Sequence, residues 1–281
     1  FIIVNYNVKE YVTECIKSIH RNVDSENAIY EIILVDNNSS DGSKELFSNN
    51  NGIKYVYNMN NLGFGVANNI GANLARGKVL IFVNPDIQFN SKTNIYEMAK
   101  ILHSNSNTGM VSCKILFPDG TIQSVGESFP NVLNVLGQSL LFWNYRFLRK
   151  HRMRNYKNVG VSVVDWVTGA FILVEKETFV KLGGFDENIF LSAEDIDLAA
   201  RYRFIGKINV VLDKYEVIHY HGKSRSKIST TSPIRDYKDS LESFKMVIIK
   251  NKLSHFPSIM VYLKVMNAIL RTSLLKFKKV F

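Results

Sequence analysis

Four short apolar runs punctuate the first hundred residues: Phe1–Val4, Ile32–Val35, Ile53–Val56 and Val79–Val83. Between them lie Lys9–Arg21, Asp41–Asn50 and Phe64–Ala75, each of helix length and mixed polarity. Strands alternating with helices predict an α/β fold, a mainly parallel sheet flanked by helices. In such sheets ligands gather at the carboxyl ends of the strands. The second half is less regular. Gly109–Phe117 reads as a strand and Pro118-Asp119-Gly120 as a turn. Trp166–Glu175 is another apolar run, followed by a short helix over Lys176–Leu182 before Gly183-Gly184. A further helix opens with Glu194, Asp195 and Asp197 after the apolar approach Ile189-Phe190-Leu191, and the pattern ends at His219-Tyr220-His221.

Polar residues cluster where the early strands end: Asn5-Tyr6-Asn7, then Asp36 through Gly42, then Asn58–Asn61 leading to Gly63, then Asn84-Pro85-Asp86. Any one of these suits a turn. Several on one edge of one sheet predict a pocket lined with acceptors and amides. Gly63-Phe64-Gly65-Val66-Ala67-Asn68 only superficially matches a dinucleotide-binding glycine loop. Its last position is Asn, and it follows the third strand rather than opening the first βα unit. Its glycines fit a close backbone approach at a helix start.

Ser192 to Asp195 fits a loose capping box, and acids suit a helix N-terminus, so Glu194 and Asp195 have a purely structural explanation. The third acid and the apolar approach point instead to a carboxylate held beside a buried substrate, where it can act as a general base. His219 and His221 alternate, so on a strand they share a face. With Lys223 and Arg225 nearby they are candidates for an anion or metal site.

Taken in order, these stretches resemble a family 2 glycosyltransferase of the GT-A fold. They are Val4-Asn5-Tyr6-Asn7, Val35 through Gly42, Asn61-Leu62-Gly63-Phe64-Gly65 through Gly71, Asn84-Pro85-Asp86, Thr168-Gly169-Ala170, Gly184-Phe185-Asp186, Glu194 through Leu198, and His219 through Ser224. The likeness runs from Phe1 to about Ser226. The Asn-Pro-Asp form, Asn68-Asn69 and the His-x-x-Gly-x-Ser ending are most similar to the bacterial rhamnosyltransferase branch. The resemblance implies a GT-A domain over 1–226, with a nucleotide-binding half (1–108) and an acceptor and catalytic half (109–226). A basic, helical C-terminal extension follows over 227–281. It further implies that Asn5, Tyr6, Asp36, Asn37, Gly63, Asn69, Asn84, Asp86, Thr168 and Gly169 bind the nucleotide-sugar. Asp86 and His219 would hold a divalent metal, Mg²⁺ or Mn²⁺. Asp195 would serve as the catalytic base with Glu194 beside it. Asn68 takes the place of an arginine in the family pattern, and Asn84 that of the first acid of the two-acid Asp-x-Asp motif. The implied reaction is inverting transfer of a hexose from a dTDP- or UDP-sugar, with dTDP-L-rhamnose as first choice. A saccharide or polyprenyl-diphosphate-linked acceptor in surface polysaccharide synthesis would receive it. A UDP-hexose enzyme or a catalytically silent, nucleotide-binding relative are the alternatives.

Charge adds a question about partners. The 281 residues carry a formal net charge of +10, and 46% are apolar. Phe142–Lys157 holds six Lys/Arg and no acid, Ser243–Phe281 eight and no acid, and the remainder 21 basic against 25 acidic residues. Such segments suit nucleic acid or an anionic membrane. No nucleic-acid module is recognisable, so the expectation is a cytoplasmic protein with peripheral contact to the inner face of the plasma membrane. On a helix from Pro257, Lys264 falls near Asn267, Arg271 and Lys278 on one face, away from Ile259 and Leu263. This suits an interfacial helix; the alternative is packing on the core or on a second subunit of a homodimer. The uncharged stretch Leu253–Leu263 is too short to span a bilayer. Two cysteines are too few for a disulfide framework and read as buried thiols in a reducing compartment. No signal peptide is visible, and the opening at Phe1 rather than methionine leaves room for a preceding piece.

Overall fold

Strand β1 (Ile2–Asn5) lies between β2 (Ile33–Asp36) and β4 (Val79–Val83), parallel to both, and β2 carries β3 (Lys54–Tyr57) on its outer side. The computed structural model describes residues 1–23, 29–123, 125–132, 160–220 and 233–266, with side chains from 237 onward in the last segment. Strands β1, β2 and β4 are near-continuous apolar runs of the kind that central strands of a covered sheet show; every residue of β2 is buried. Helix α1 (Lys9–Asn22) connects β1 to β2, α2 (Ser43–Phe47) connects β2 to β3, and α3 (Phe64–Leu74) connects β3 to β4. Gly71 lets α3 come down onto β1, since a Cβ there would lie 2.5 Å from Ile2 Cγ2.

The chain reverses its direction of travel across the sheet at β1. One crossover leads from β1 to β2, and the later one leads back past β1 to β4. Such a switch opens a crevice at the carboxyl ends of the two strands, where Asn5-Tyr6 and Asn84-Pro85 lie.

The second half makes the sheet mixed. Its order is β3-β2-β1-β4, then β10 (Phe171–Glu175), β6 (Thr108–Leu116), β11 (Ile208–His219) and β5 (Ile87–Phe89), with β8 (Val161–Val164) on β11. The short β5 (Ile87–Phe89) leads to α4 (Ile95–Ser104), capped by the Asn94 side chain, and on to β6 (Thr108–Leu116). The expected single run Trp166–Glu175 is split. β9 (Trp166–Val167) pairs with β7 (Gly126–Glu127), and β10 (Phe171–Glu175) inserts antiparallel between β4 and β6. Helix α5 (Lys176–Lys181) follows, and Phe179 packs with Phe82 and Phe185 at centroid distances of 5.0 to 5.4 Å.

After α6 (Glu194–Phe204) comes β11 (Ile208–His219), whose twelve residues include a register shift between Leu212 and Glu216. Before the shift β11 pairs with β8 (Val161–Val164); after it, with β5, setting His219 opposite Ile87. A bulge that bends a strand and re-aims its side chains is common beside functional sites.

Helix α7 (Pro233–Lys250) and helical residues 257–266 complete the described chain. Phe244, Val247, Ile248 and Met260 are buried in the same core as the sheet, so these helices continue the core past residue 227. Lys264 departs from the expected polar outer face. It turns inward, its ammonium 3.5 Å from the Phe244 ring centroid, while Ile259 and Tyr262 point outward. No helix among the described residues is long and apolar enough to cross a membrane. Phe142–Lys157, His221, Lys223, Arg225, Asn267, Arg271 and Lys278 lie outside the described residues. Cys15 and Cys113 are free and buried, and burial pushes both thiols well above their usual range.

Candidate active site

The β1 and β2 ends are knitted into one rigid rim. Asn5 Nδ2 donates to Asp36 Oδ2 (2.9 Å) and to Ser39 Oγ (3.1 Å), while Ser39 N donates to Asp36 Oδ1 (2.7 Å). Tyr55 adds its hydroxyl to Asp36 Oδ2 at 3.0 Å. Burial and the neighbouring Asp36 charge push that phenol above its ordinary range, keeping it a donor. Asp36 is fully buried in this arrangement and braces the loop that presents Asn37 and Asn38. Asn37 reaches across to the β3–α3 loop, donating to Asn61 Oδ1 and Gly63 O, and accepts from Asn58.

Between this rim and α6 lies a cleft lined by residues from both sides. Tyr6, Asn37, Asn61 and Gly63 line one side, Asn84 and Pro85 the floor, and Thr168, Gly169, Glu194 and Asp195 the far side. Phe190 and Leu191 form an apolar wall. Of the residues expected to bind a nucleotide-sugar or do the chemistry, Tyr6, Asn37, Gly63, Asn84, Thr168, Gly169, Glu194 and Asp195 are therefore gathered on one cavity. Asn5 and Asp36 stand behind its rim.

Asn69 faces elsewhere. Its amide accepts from Phe185 N and donates to Phe185 O, both at 2.9 Å, with a further bond to Glu187 Oε1. It ties α3 to the loop that leads to α6. Asn68 likewise turns onto its own helix, donating to Phe64 O.

Asp195 is held by backbone. Gly169 N donates to its Oδ2 at 2.8 Å and Ile196 N to its Oδ1 at 2.8 Å. Gly169 can do so because Thr168 N is spent on Val125 O and Ala170 O accepts from Asn84 N, which splits the apolar run at this tripeptide. The N-cap of α6 is Ala193, which makes no side-chain cap bond, and Ser192 and Ala193 both adopt left-handed backbone, at φ 74° and 71°. Non-glycine residues rarely tolerate that region, and such strain concentrates at functional sites. The sharp entry sets Glu194 and Asp195 at the cleft rather than over the helix end. Lys264 also lies in the electrostatic range of Asp195 and Glu127; burial lowers its pKa to about 8, against the pull of both carboxylates.

Asp86 sits under Pro85, buried, with Oδ1 3.2 Å from His219 Nε2. Backbone builds the pair, since Tyr220 N donates to Asp86 O beside the β5–β11 ladder. Gln123 settles the tautomer. Its Nε2 donates to the carbonyls of His219 (2.8 Å) and Leu116 (3.3 Å), so its Oε1 faces His219 Nδ1 at 3.0 Å and requires a proton there. A neutral ring then turns the Nε2 lone pair toward the Asp86 carboxylate, a geometry that a cation or a proton completes. Among the described residues no cluster of three His, Cys, Asp or Glu side chains forms, so these residues offer no more than a pair here. A pair of ligands, with substrate phosphates supplying the rest, is how many diphosphate-binding sites hold Mg²⁺ or Mn²⁺.

Comparison with known proteins bears directly on this cleft. The model of the family "Glycosyl transferase family 2" matches residues 1–166, more than half of the chain. The chain belongs to that family. This glycosyltransferase is 28% identical to the rhamnosyltransferase WbbL of Escherichia coli K12 over 236 residues, 81% of this chain and 86% of that one. It is 25% identical to the N-acetylglucosaminyl-diphospho-decaprenol L-rhamnosyltransferase of Mycobacterium tuberculosis, over 70% of this chain and 68% of that one. Among solved structures, GalNAc-T7 with UDP, GalNAc and Mn²⁺ aligns with TM-score 0.63 at 17% identity, over 88% of this chain and 47% of that one. The mannosyltransferase PcManGT of Pyrobaculum calidifontis, with GDP-Man and Mn²⁺, aligns with TM-score 0.56 at 16% identity, over 99% and 78%. The fold is that of the GT-A glycosyltransferases.

Tyr55 and Gln123 escaped the sequence reading. Each is an ordinary residue in an ordinary segment, and its role comes from a partner distant in sequence. Phe190 and Leu191 were visible only as an apolar approach to the acids.

Proposed function

We propose that this glycosyltransferase transfers L-rhamnose from dTDP-L-rhamnose, with inversion, to a saccharide carried on a polyprenyl diphosphate during surface polysaccharide synthesis. The observation that carries the proposal is Asp195, fixed by Gly169 N on the wall of the cleft facing the Asn84-Pro85 floor. Likeness to two rhamnosyltransferases, one named for a diphospho-decaprenol acceptor, supports the choice of sugar and carrier. In this reading Asn5, Tyr6, Asp36 and Asn37 serve the base and ribose, while Gly63, Asn84, Thr168 and Gly169 face the diphosphate and sugar. Asn69 contributes by holding the loop before α6.

An acceptor hydroxyl loses its proton to Asp195 and attacks the anomeric carbon from the side opposite the nucleotide. The carbon–oxygen bond to the β-phosphate breaks in the same step, so the configuration inverts. Base assistance of this kind contributes about 10²–10⁴-fold. Asp86 and His219 would hold a divalent ion, which neutralises charge on a leaving diphosphate. Exposed Phe256, Ile259 and Tyr262, in an acid-free segment that starts at Ser243, support peripheral contact with an anionic membrane.

Thermal denaturation with each donor and Mn²⁺ or Mg²⁺ tests the reading. dTDP-L-rhamnose at a hundredfold excess over Kd adds about 2.7 kcal/mol of stability, a rise in Tm of several degrees. A shift with UDP-hexoses alone would move the assignment to a UDP-sugar. His219→Ala should raise the metal concentration for half-maximal transfer at least about tenfold. Unchanged metal dependence would remove His219 from the metal site.

A further inference from the structure

Three acids stand in the first turn of α6, and two of them, Glu194 and Asp195, line the cleft. The third, Asp197, is fully buried one turn into the helix. Its Oδ2 accepts from Arg201 Nε at 2.8 Å, with Nη2 at the same distance in ion-pair contact, within the same helix. Its Oδ1 turns outward to the C-terminal layer and accepts from Asn251 Nδ2 at 2.9 Å, with Lys250 Nζ at 3.0 Å. The same ammonium reaches Asp186 Oδ2 at 2.6 Å. Partial burial disfavours its charge, but the two carboxylates outweigh that and raise its pKa above the usual lysine value.

Lys250 therefore joins three pieces of the molecule at one point: the end of α7, the loop that contains Asp186, and the helix that carries Asp195. The loop is gripped from its other side by Asn69 through Phe185 and Glu187, and farther along by Phe64 N on Phe190 O at 3.0 Å. Between those grips and α6 run the strained residues Ser192 and Ala193. A strained entry keeps its shape only where its surroundings over-determine it. The Lys250 bridge supplies that constraint from the side away from the donor rim.

We infer that Lys250 is a positioning residue for transfer: by clamping Asp197 to Asp186 it fixes the start of α6 and so sets Asp195 against the acceptor hydroxyl. Asn251 shares the task, and the C-terminal helices thereby belong to the catalytic unit. This rests on Asp195 as the base. Of the residues assigned to the donor, Asn5, Tyr6, Asp36, Asn37 and Asn84 lie at the β1, β2 and β4 ends, and none of these bonds to Lys250, so removing the clamp should change donor binding far less than kcat.

The test compares Lys250→Met, Lys250→Arg and Asp195→Asn in the full chain, measuring kcat, donor KM and donor Kd. Misplacing a reacting group by about 1 Å costs on the order of 10²-fold, so Lys250→Met should lose roughly that in kcat while donor KM and Kd stay within about twofold. Lys250→Arg, whose guanidinium can reach both carboxylates, should restore most of kcat. Should Lys250→Met fail to fold, Asp186→Asn replaces it, since Asp197 then keeps Arg201, Asn251 and Lys250; it should lower kcat in the same selective way. Wild-type kcat in the clamp variants overturns the inference, as does a loss of donor affinity in parallel with kcat, which marks general loosening. If Asp195→Asn transfers at the wild-type rate, the base assignment fails instead, whatever the clamp variants do.

Discussion

Asp195→Asn should lower transfer by about 10²–10⁴-fold, the usual contribution of a positioned general base, while donor binding stays near wild type. The amide is nearly isosteric with the carboxylate and can keep its oxygen on Gly169 N, so the cleft keeps its shape. What it loses is the capacity to accept a proton. Ile196 N donates to the other oxygen, and the amide can present only an NH₂ group there, so a modest loss of stability accompanies the change. Initial rates of acceptor glycosylation, alongside donor affinity by calorimetry, separate the two effects. Wild-type rates would exclude Asp195 as base and leave Glu194 as the carboxylate to test.

Gly63→Ala should damage stability and donor binding together. Gly63 has φ 85° and ψ 174°, a conformation open in practice to glycine alone. A Cβ there would lie 2.6 Å from Phe190 O and 2.9 Å from its ring. The backbone strain costs about 1–3 kcal/mol and the overpacking about 1–3 kcal/mol more. Relief requires Phe190 to retreat, which breaks the Phe64 N to Phe190 O bond and moves an apolar wall of the cleft. The denaturant midpoint should fall and donor Kd rise in the same variant. An unchanged midpoint would mean that the loop before α6 yields freely, against the geometry described here.

Much of the first hundred residues could be read from sequence because β1, β2 and β4 are mostly buried and the polar residues collect at one edge. β1, β2 and β4 appear as uninterrupted apolar runs, and Asn5, Asn37 and Asn84 end up close together because parallel strands share a direction. The rest depended on contacts that periodicity does not encode. β5 is three residues long, too short for a period to show. β10 takes an antiparallel place between two strands of different halves, which no local pattern announces. The helix start moved one residue past Ser192, because the loop enters α6 through two left-handed residues and makes Ala193 the N-cap. Lys264 belonged by helical spacing to a polar stripe, yet the Phe244 ring and two carboxylates draw it inward. For Asp86 and His219 the sequence supplied the residue types, and only the bulge in β11 shows how they meet. Gln123 fixes the His219 tautomer through bonds to Leu116 and His219 carbonyls, a relation that composition cannot express.

The interleaving of the sheet has a consequence for how the molecule comes apart. β10, from the second half of the chain, is stitched between β4 and β6, and β5, from the first hundred residues, closes the far edge on β11. Neither half owns a complete sheet, so neither completes its sheet without the other. The geometry makes the two halves one cooperative unit for global unfolding. A ligand that stabilised the β1 and β4 ends would therefore raise the cost of global unfolding for the second half as much as for the first.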